Sequence, residues 1–262
     1  MTAVAVPERH AQGRAPRPPR LLSTELRKMF DTRSGFWLMA SIAIAALLAT
    51  VAVIVFAPAD ELSFSAFASA FGIPMAVILP IVAILSVTSE WSQRSGLTTF
   101  TLVPHRGRVI AAKALVSVLV GVAGVLLAFG IGAVGNLAAS AIAGTDPVWD
   151  ASLVDLLNIT LANTLGLLVG FMLGVLIRSS AGAIVAYFVY SFVLPTLSML
   201  LASSQQWFED LQPWVDFNFA QSALFNGSLT GEQWGQLGVT SVVWLLVPTV
   251  IGVWLVMRSE VK

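Results

Sequence analysis

The sequence predicts an all-α integral membrane protein with six transmembrane helices. The chain has 262 residues, of which 57% are hydrophobic and only 11% are charged, whereas soluble domains carry roughly 25% charged residues. Six apolar segments each have the length of a membrane span, and every basic residue falls on one side of them. Because lipid offers no hydrogen-bond partners, backbone groups that cross it must pair within helices.

The first 34 residues precede the spans. Residues 1–20 combine arginines and prolines without apolar periodicity, which predicts a disordered, basic cytoplasmic tail. Residues 21–34 place Leu22, Leu26 and Met29 on one helical face, so we expect an amphipathic helix that lies in the membrane interface. The alternative is a plain cytoplasmic extension of the first span.

The spans form one transmembrane domain over residues 35–258. Each apolar segment reaches the roughly 20 residues that a helix needs to cross the bilayer core. They lie near residues 35–57, 64–88, 110–136, 153–177, 180–202 and 237–257. The third segment stays apolar as far as Ala143, so it tilts, breaks or ends in a short outer helix.

Charge sidedness sets the predicted orientation. With six spans, all 14 Lys and Arg residues fall on one side, and the opposite side carries only acidic charges. The basic residues are Arg9, Arg14, Arg17, Arg20, Arg27, Lys28, Arg33, Arg94, Arg106, Arg108, Lys113, Arg178, Arg258 and Lys262. The positive-inside rule places this side, with both termini, in the cytoplasm. We therefore expect a multi-pass protein of the plasma membrane.

The largest outer segment covers residues 203–236. Its tryptophans suit a membrane interface, which favours an interfacial hairpin, and the alternative is a gate over an exit path. Thr230 and Gln233 have the spacing of a capping box, so the last helix is expected to begin near Gly231.

Prolines interrupt three of the predicted spans. Pro74 and Pro80 lie in the second, Pro195 in the fifth and Pro248 in the sixth. Each removes a backbone donor and tends to kink its helix. One interpretation is that these kinks serve helix packing alone. The alternative is that the kinks at Pro74, Pro80 and Pro195 frame a substrate path.

The fourth span carries glycines at a regular interval. Gly166, Gly170 and Gly174 lie on one helical face, which permits close helix approach. We expect that contact within the subunit, with a dimer contact as the alternative.

Several chemistries are excluded or disfavoured. The chain has no cysteine and only two histidines, both outside the apolar segments, so we expect no metal site. The span interiors lack Asp, Glu, Lys, Arg and His, which disfavours ion-driven transport and intramembrane hydrolysis. No P-loop occurs, so we expect no nucleotide site in this chain. We also expect no bound cofactor and no catalytic residue.

The cytoplasmic segment 89–108 is the most informative polar stretch. Glu90 and Arg94 have the spacing of a helical ion pair, Gly96 ends that turn, and an apolar stripe leads to Pro104. An amphipathic hairpin at the membrane boundary suits docking to a soluble partner. The alternative is that Glu90 and Arg94 form an ordinary solvated ion pair.

This segment resembles the membrane subunit of an ABC-2-type ATP-binding-cassette exporter. The family pattern has a Glu at the end of the second span, then Gly-Thr-Leu, an apolar stretch, Pro, a basic residue and Lys at the third span. The matching residues here are Glu90, Gly96, Pro104, Arg106 or Arg108, and Lys113, and the chain departs from the pattern by reading Gly96-Leu97-Thr98. Residues 21–34, with Glu25, Arg27 and Lys28, resemble the family's elbow helix.

The resemblance implies the partners. Two six-span subunits would pair, as a homodimer or a heterodimer, and cytosolic ABC ATPases would dock on the elbow helix and on a coupling hairpin at 89–108. The implied coupling residues are Glu25, Arg27, Lys28, Glu90, Arg94, Gly96, Pro104, Arg106 and Arg108. ATP and Mg²⁺ would be bound by the partner ATPase, and no nucleic acid is expected.

The sequence leaves the cargo open. A smooth apolar interior fits a hydrophobic or amphipathic drug, lipid or peptide exported from the cytoplasm or inner leaflet. The alternatives are a non-transporting membrane assembly or immunity factor and an integral membrane enzyme.

Overall fold

A computed structural model describes residues 22–27, 33–92 and 106–258. Within these ranges the chain is helical and contains no strand, and six helical stretches are long and apolar enough to cross a membrane. Spans 1 to 6 are Gly35–Phe56, Gly72–Ser89, Gly107–Ala143, Leu153–Ile177, Ser180–Ser204 and Gly231–Arg258. The predicted all-α fold with six transmembrane helices is therefore confirmed. The predicted tail and most of the predicted coupling hairpin lie outside the described residues.

Several helices extend, divide or connect the spans. The α-helices are 22–27, Arg33–Phe56, Phe64–Ala70, Gly72–Ser92, Arg106–Ala143, Leu153–Ile177, Ser180–Phe188, Leu194–Ser204, Gln206–Val215, Phe217–Ser222, Gly231–Ser241 and Val247–Arg258. Wider π-helical turns occur at Val189–Val193 and Val242–Leu246, and short 3₁₀ turns at Ala59–Glu61 and Ala223–Phe225.

The predicted second span, 64–88, is divided in the structure. A short helix, Phe64–Ala70, ends at Phe71, and span 2 begins at Gly72. Pro74 therefore falls in the first turn of a helix, where its missing N–H breaks no helical hydrogen bond. The short helix packs Phe67 and Phe71 against span 3, where Gly132 and Gly135 leave room for the rings.

Span 3 is part of one unbroken helix, Arg106–Ala143, of 38 residues. At 1.5 Å per residue it is about 57 Å long, well beyond a hydrocarbon core of about 30 Å. Of the three alternatives for its end, the structure excludes a break and a separate outer helix. The helix stops before Gly144, whose φ of +70° lies in the left-handed region that glycine adopts readily.

The predicted capping box forms at the start of span 6. Thr230 Oγ1 accepts the Gln233 N–H at 3.3 Å, and Gln233 Oε1 accepts the Thr230 N–H at 2.8 Å. The helix begins at Gly231, so this prediction is confirmed.

Spans 5 and 6 share a backbone irregularity. In each, a π-helical turn ends two residues before a proline, at Val193 before Pro195 and at Leu246 before Pro248. A proline ring crowds the carbonyl four residues earlier and donates no hydrogen bond, so the preceding turn widens.

Hydrogen bonds define the two ends of the bundle. At one end, Phe64 N–H and Asn136 Nδ2 both donate to Val148 O, at 3.0 Å each, and Asn158 Nδ2 donates to Gly227 O at 2.7 Å. At the other end, the hydroxyls of Thr88 and Ser180 lie 2.7 Å apart. The first end carries the acidic connections, and the second, which we call the basic end, carries Lys113 and Arg178.

Span 4 lies at the centre of the packing. A Cβ on Gly170 would lie 2.6 Å from Pro80 O, and one on Gly174 would lie 3.3 Å from Ile84 O. These glycines therefore let spans 2 and 4 approach at backbone distance, which confirms the expected contact within the subunit. Gly166 differs, because its nearest neighbour is the Gln221 side chain, 3.6 Å from the Cβ position.

Candidate functional site

A buried ion pair ties residues 22–27 to the bundle. Lys113 Nζ lies 2.5 Å from Glu25 Oε2 and also donates to Ser86 O at 3.1 Å. Each of the two charged side chains is only 7% exposed. The ammonium group therefore joins the N-terminal segment, span 2 and span 3 at the basic end.

Helical spacing explains the surroundings of this ion pair. Lys113 and Ser117 are four residues apart on span 3 and face span 2, where Ser86 Oγ lies 3.0 Å from Ser117 Oγ. A buried charge is tolerated when it is paired and hydrogen-bonded, and Lys113 meets both conditions.

The structure divides the residues predicted to couple to an ATPase. Arg27 and Arg108 are exposed at the basic end, whereas the Glu25 carboxylate is buried against Lys113. Lys28, Arg94, Gly96, Pro104 and the side chains of Glu90 and Arg106 lie outside the described residues. The ion pair could not be read from the sequence, because its partners are 88 residues apart.

A cavity of about 220 Å³ lies between spans 2, 4 and 5 and the segment Phe217–Phe225. That segment is a short helix followed by a 3₁₀ turn. It inserts Phe217, Ala220 and Leu224 into the core beside spans 4 and 5. It thus forms one wall of the cavity, and we call it the inserted turn.

Hydrogen bonds fix the walls of this cavity. Tyr187 Oη donates to Ala76 O at 2.6 Å, which joins span 5 to span 2. Gln221 Nε2 donates to Ala162 O at 2.7 Å, and Asn218 Nδ2 donates to Tyr190 O at 3.2 Å. The inserted turn is thereby held to spans 4 and 5 by side-chain amides.

Two cavity-lining residues have unused hydrogen-bonding capacity. Asn163 donates through Nδ2 to Ile159 O at 2.9 Å, but its Oδ1 has no partner. The Tyr190 hydroxyl also has no partner. Both residues are more than nine-tenths buried. The described residues that line the cavity include no Lys, Arg, Asp, Glu or His.

The predicted substrate-path prolines lie at different distances from this cavity. Pro74 follows Ile73, which lines the cavity, whereas Pro80 is buried against Gly170 of span 4. Pro195 lies beyond the lining residues of span 5. The sequence pointed to span 2 but missed the inserted turn, whose polar residues resemble those of any outer loop.

The described residues contain no group of three or more His, Cys, Asp or Glu side chains that could hold a metal ion. What the arrangement provides is a positioned N-terminal segment at the basic end and a mostly apolar cavity with a few polar side chains in its wall.

Comparison with known proteins fits this arrangement. A family model described as ABC-2 family transporter protein matches residues 21–194, which is well over half of the chain. No curated protein gives a match. The matched region begins just before the helix 22–27 and runs into span 5. The chain therefore belongs to the ABC-2 transporter family and is a multi-pass membrane permease of an ABC transporter.

Proposed function

We propose that this permease works as an exporter. It would move a hydrophobic or amphipathic substrate out of the cytoplasm or inner leaflet, using ATP that separate cytosolic subunits hydrolyse. The observation that carries the proposal is the absence of Asp, Glu, Lys, Arg and His from the middle of the described spans. Ion-coupled transporters place such groups along their pathways, so the energy would come from another chain.

The basic end supports coupling to that chain. The Glu25–Lys113 pair links residues 22–27 to span 3, and the bond from Lys113 to Ser86 O extends the link to span 2. A partner that moves this segment would move both spans with it. Arg27 and Arg108 are exposed there, so they can contact an acidic surface of a docked ATPase.

The cavity end supports an apolar cargo. The inserted turn lies beside spans 4 and 5 and closes one wall of the cavity. In the predicted orientation this is the outer half of the membrane, so the inserted turn would control release. Two such permeases, as a homodimer or a heterodimer, would act with two ATPases.

Reconstitution tests the proposal directly. The purified chain alone should hydrolyse no ATP, and with its ATPase in vesicles it should move a fluorescent amphiphile only when ATP is present. A P-loop lysine variant of the ATPase is the control and should abolish movement. ATP hydrolysis by the chain alone, or equal movement without ATP, would contradict the proposal. Stable assembly that never moves any amphiphile would favour a non-transporting assembly factor.

The coupling hairpin has its own variant. Glu90→Ala should leave expression and melting temperature unchanged but weaken copurification of the ATPase, because losing a charge at a protein interface can cost about 2–5 kcal/mol. Glu232→Ala removes an exposed carboxylate at the opposite end and is the matched control. If the ATPase copurifies normally with Glu90→Ala, Glu90 does not belong to the interface with the ATPase.

A further inference from the structure

We propose that the cavity bounded by the inserted turn is a binding site for an uncharged, hydroxyl-bearing lipid that enters sideways from the bilayer. That this lipid is the exported cargo rests on the proposed function. That the lipid binds in the cavity does not depend on the proposed function.

The rim of the cavity indicates the route of entry. Ile73, Phe192 and Phe225 line the cavity and are 79%, 52% and 44% exposed. In a membrane protein, large exposed apolar side chains on the spans face lipid. The opening beside them therefore leads to hydrocarbon, and the ligand must be soluble there.

The interior indicates the chemistry of the ligand. Asn163 Oδ1 needs a donor, and the Tyr190 hydroxyl can donate or accept. An alcohol supplies both functions, whereas an ester or ether supplies only an acceptor. No charged side chain is among the lining residues described here, so a phosphate or an ammonium group would be buried without compensation.

The size of the cavity supports a headgroup-sized ligand. Its volume is about 220 Å³, whereas an engineered protein cavity of about 150 Å³ binds benzene. A glycerol unit with the first part of an acyl chain fits this space, and the rest of the chain would extend past the apolar rim into lipid.

The unused polar atoms favour binding over a purely structural role. A buried polar atom without a partner costs stability, and neither atom holds two elements together. By contrast, the nearby Tyr187 hydroxyl bonds Ala76 O across spans 5 and 2. Both atoms are occluded in this structure, so a ligand would bond them only after the two side chains turn toward the cavity. Neither unpaired atom has a hydrogen bond to give up in that turn.

Photolabelling tests the site in the full-length chain without an ATPase. The probe is a diazirine-bearing dioctanoylglycerol in phosphatidylcholine nanodiscs, with unlabelled dioctanoylglycerol as competitor. Labels should map to the peptides that contain Tyr190 and the inserted turn, and the competitor should remove them. Tyr190→Phe and Asn163→Leu should each reduce labelling about threefold to tenfold, as expected for one lost hydrogen bond.

Controls separate binding from folding and from general lipid contact. Tyr190→Phe removes one atom that has no partner, so its melting temperature should not fall. Thr196→Val removes a span 5 hydroxyl that bonds Phe192 O and is not among the lining residues, and it should label like the parent. A matched phosphatidic acid probe should not label the cavity.

Three results would overturn the site. They are labelling spread over the lipid-facing surface, labelling that neither variant changes, and equal cavity labelling by phosphatidic acid. If the site fails while the parent still exports with ATP, the proposed function stands and only the cavity assignment is lost. Competed labelling with no ATP-dependent export would leave the site intact and overturn the proposed function.

Discussion

Lys113 and Glu25 show how one residue pair can set the position of a whole segment. Both side chains are withdrawn from solvent, and Lys113 also binds Ser86 O. A buried ion pair adds little folding stability compared with apolar residues of the same shape, but removing one partner leaves the other charge buried and unpaired. The pair therefore specifies where residues 22–27 lie.

Lys113→Met should destabilise the protein strongly. It leaves the Glu25 carboxylate buried and unpaired, which costs about 3–5 kcal/mol, and the melting temperature in nanodiscs should fall accordingly. The double variant Glu25→Leu/Lys113→Met should recover much of the loss, because no charge is then stranded. Arg27→Ala, an exposed change on the same segment, is the control. Equal losses in the single and double variants would show that the pair is not coupled.

Asp150 supplies a pH-dependent contact at the opposite end. Partial burial alone would raise its pKa, but hydrogen bonds from the Ser65 side chain and backbone N–H outweigh burial and lower the pKa below its ordinary value of 3.8. The distances are 2.6 Å from Ser65 Oγ and 2.8 Å from Ser65 N. The Asp150 contribution is therefore full above the unfolded pKa and is lost as pH falls through the lower folded pKa.

Hydrogen exchange at the Ser65 amide should follow this titration. At pH 7 the parent should protect that amide more than Asp150→Ala does, after correction for the intrinsic exchange rate. Between pH 7 and 5 the difference should stay constant, and well below pH 3.8 it should vanish. Asp146→Ala, in the same connection, should behave like the parent. A difference that persists in strong acid would refute the role of the Asp150 carboxylate.

At the scale of the elements, the contact between spans 2 and 4 depends on glycine. Gly170→Ala should lower the melting temperature, because the new Cβ would lie 2.6 Å from Pro80 O and 2.7 Å from Pro80 Cα. Both obstacles are backbone atoms, and overpacking of this kind costs about 1–3 kcal/mol. Gly130→Ala meets nothing within 4 Å and should be neutral. A neutral Gly170→Ala would mean that the two spans can separate at no cost.

The sequence predicted elements far better than the contacts between them. Hydropathy and the Thr230–Gln233 capping box are local properties, and the predictions of six apolar spans and of this capping box are confirmed. The division at Phe71 was missed because the apolar run continues across it, although Gly72 and Pro74 are typical of the residues just past a helix end. The cavity was also missed, because nothing local marks the inserted turn as buried.

At the scale of the whole molecule, the acidic and basic connections lie at opposite ends of the bundle. The chain contains no cysteine, so single substitutions can report their side in intact cells. Ser228→Cys should react with an impermeant thiol reagent added outside, because Ser228 is exposed at the acidic end. Ser95→Cys, in the connection between spans 2 and 3, should react only after permeabilisation. Labelling of position 95 from outside would overturn the predicted orientation.

The unbroken helix that contains span 3 has a mechanical consequence. Lys113 is held by Glu25 and Ser86 O near one end, and the helix continues without interruption to Ala143. At 1.5 Å per residue, Arg106 lies about 10 Å to one side of Lys113 and Ser140 about 40 Å to the other. With Lys113 as the fulcrum, the helix is a lever with unequal arms. A displacement of about 2 Å at its Arg106 end would become about 8 Å at the far end, beside Asn136 and the loop that holds Val148.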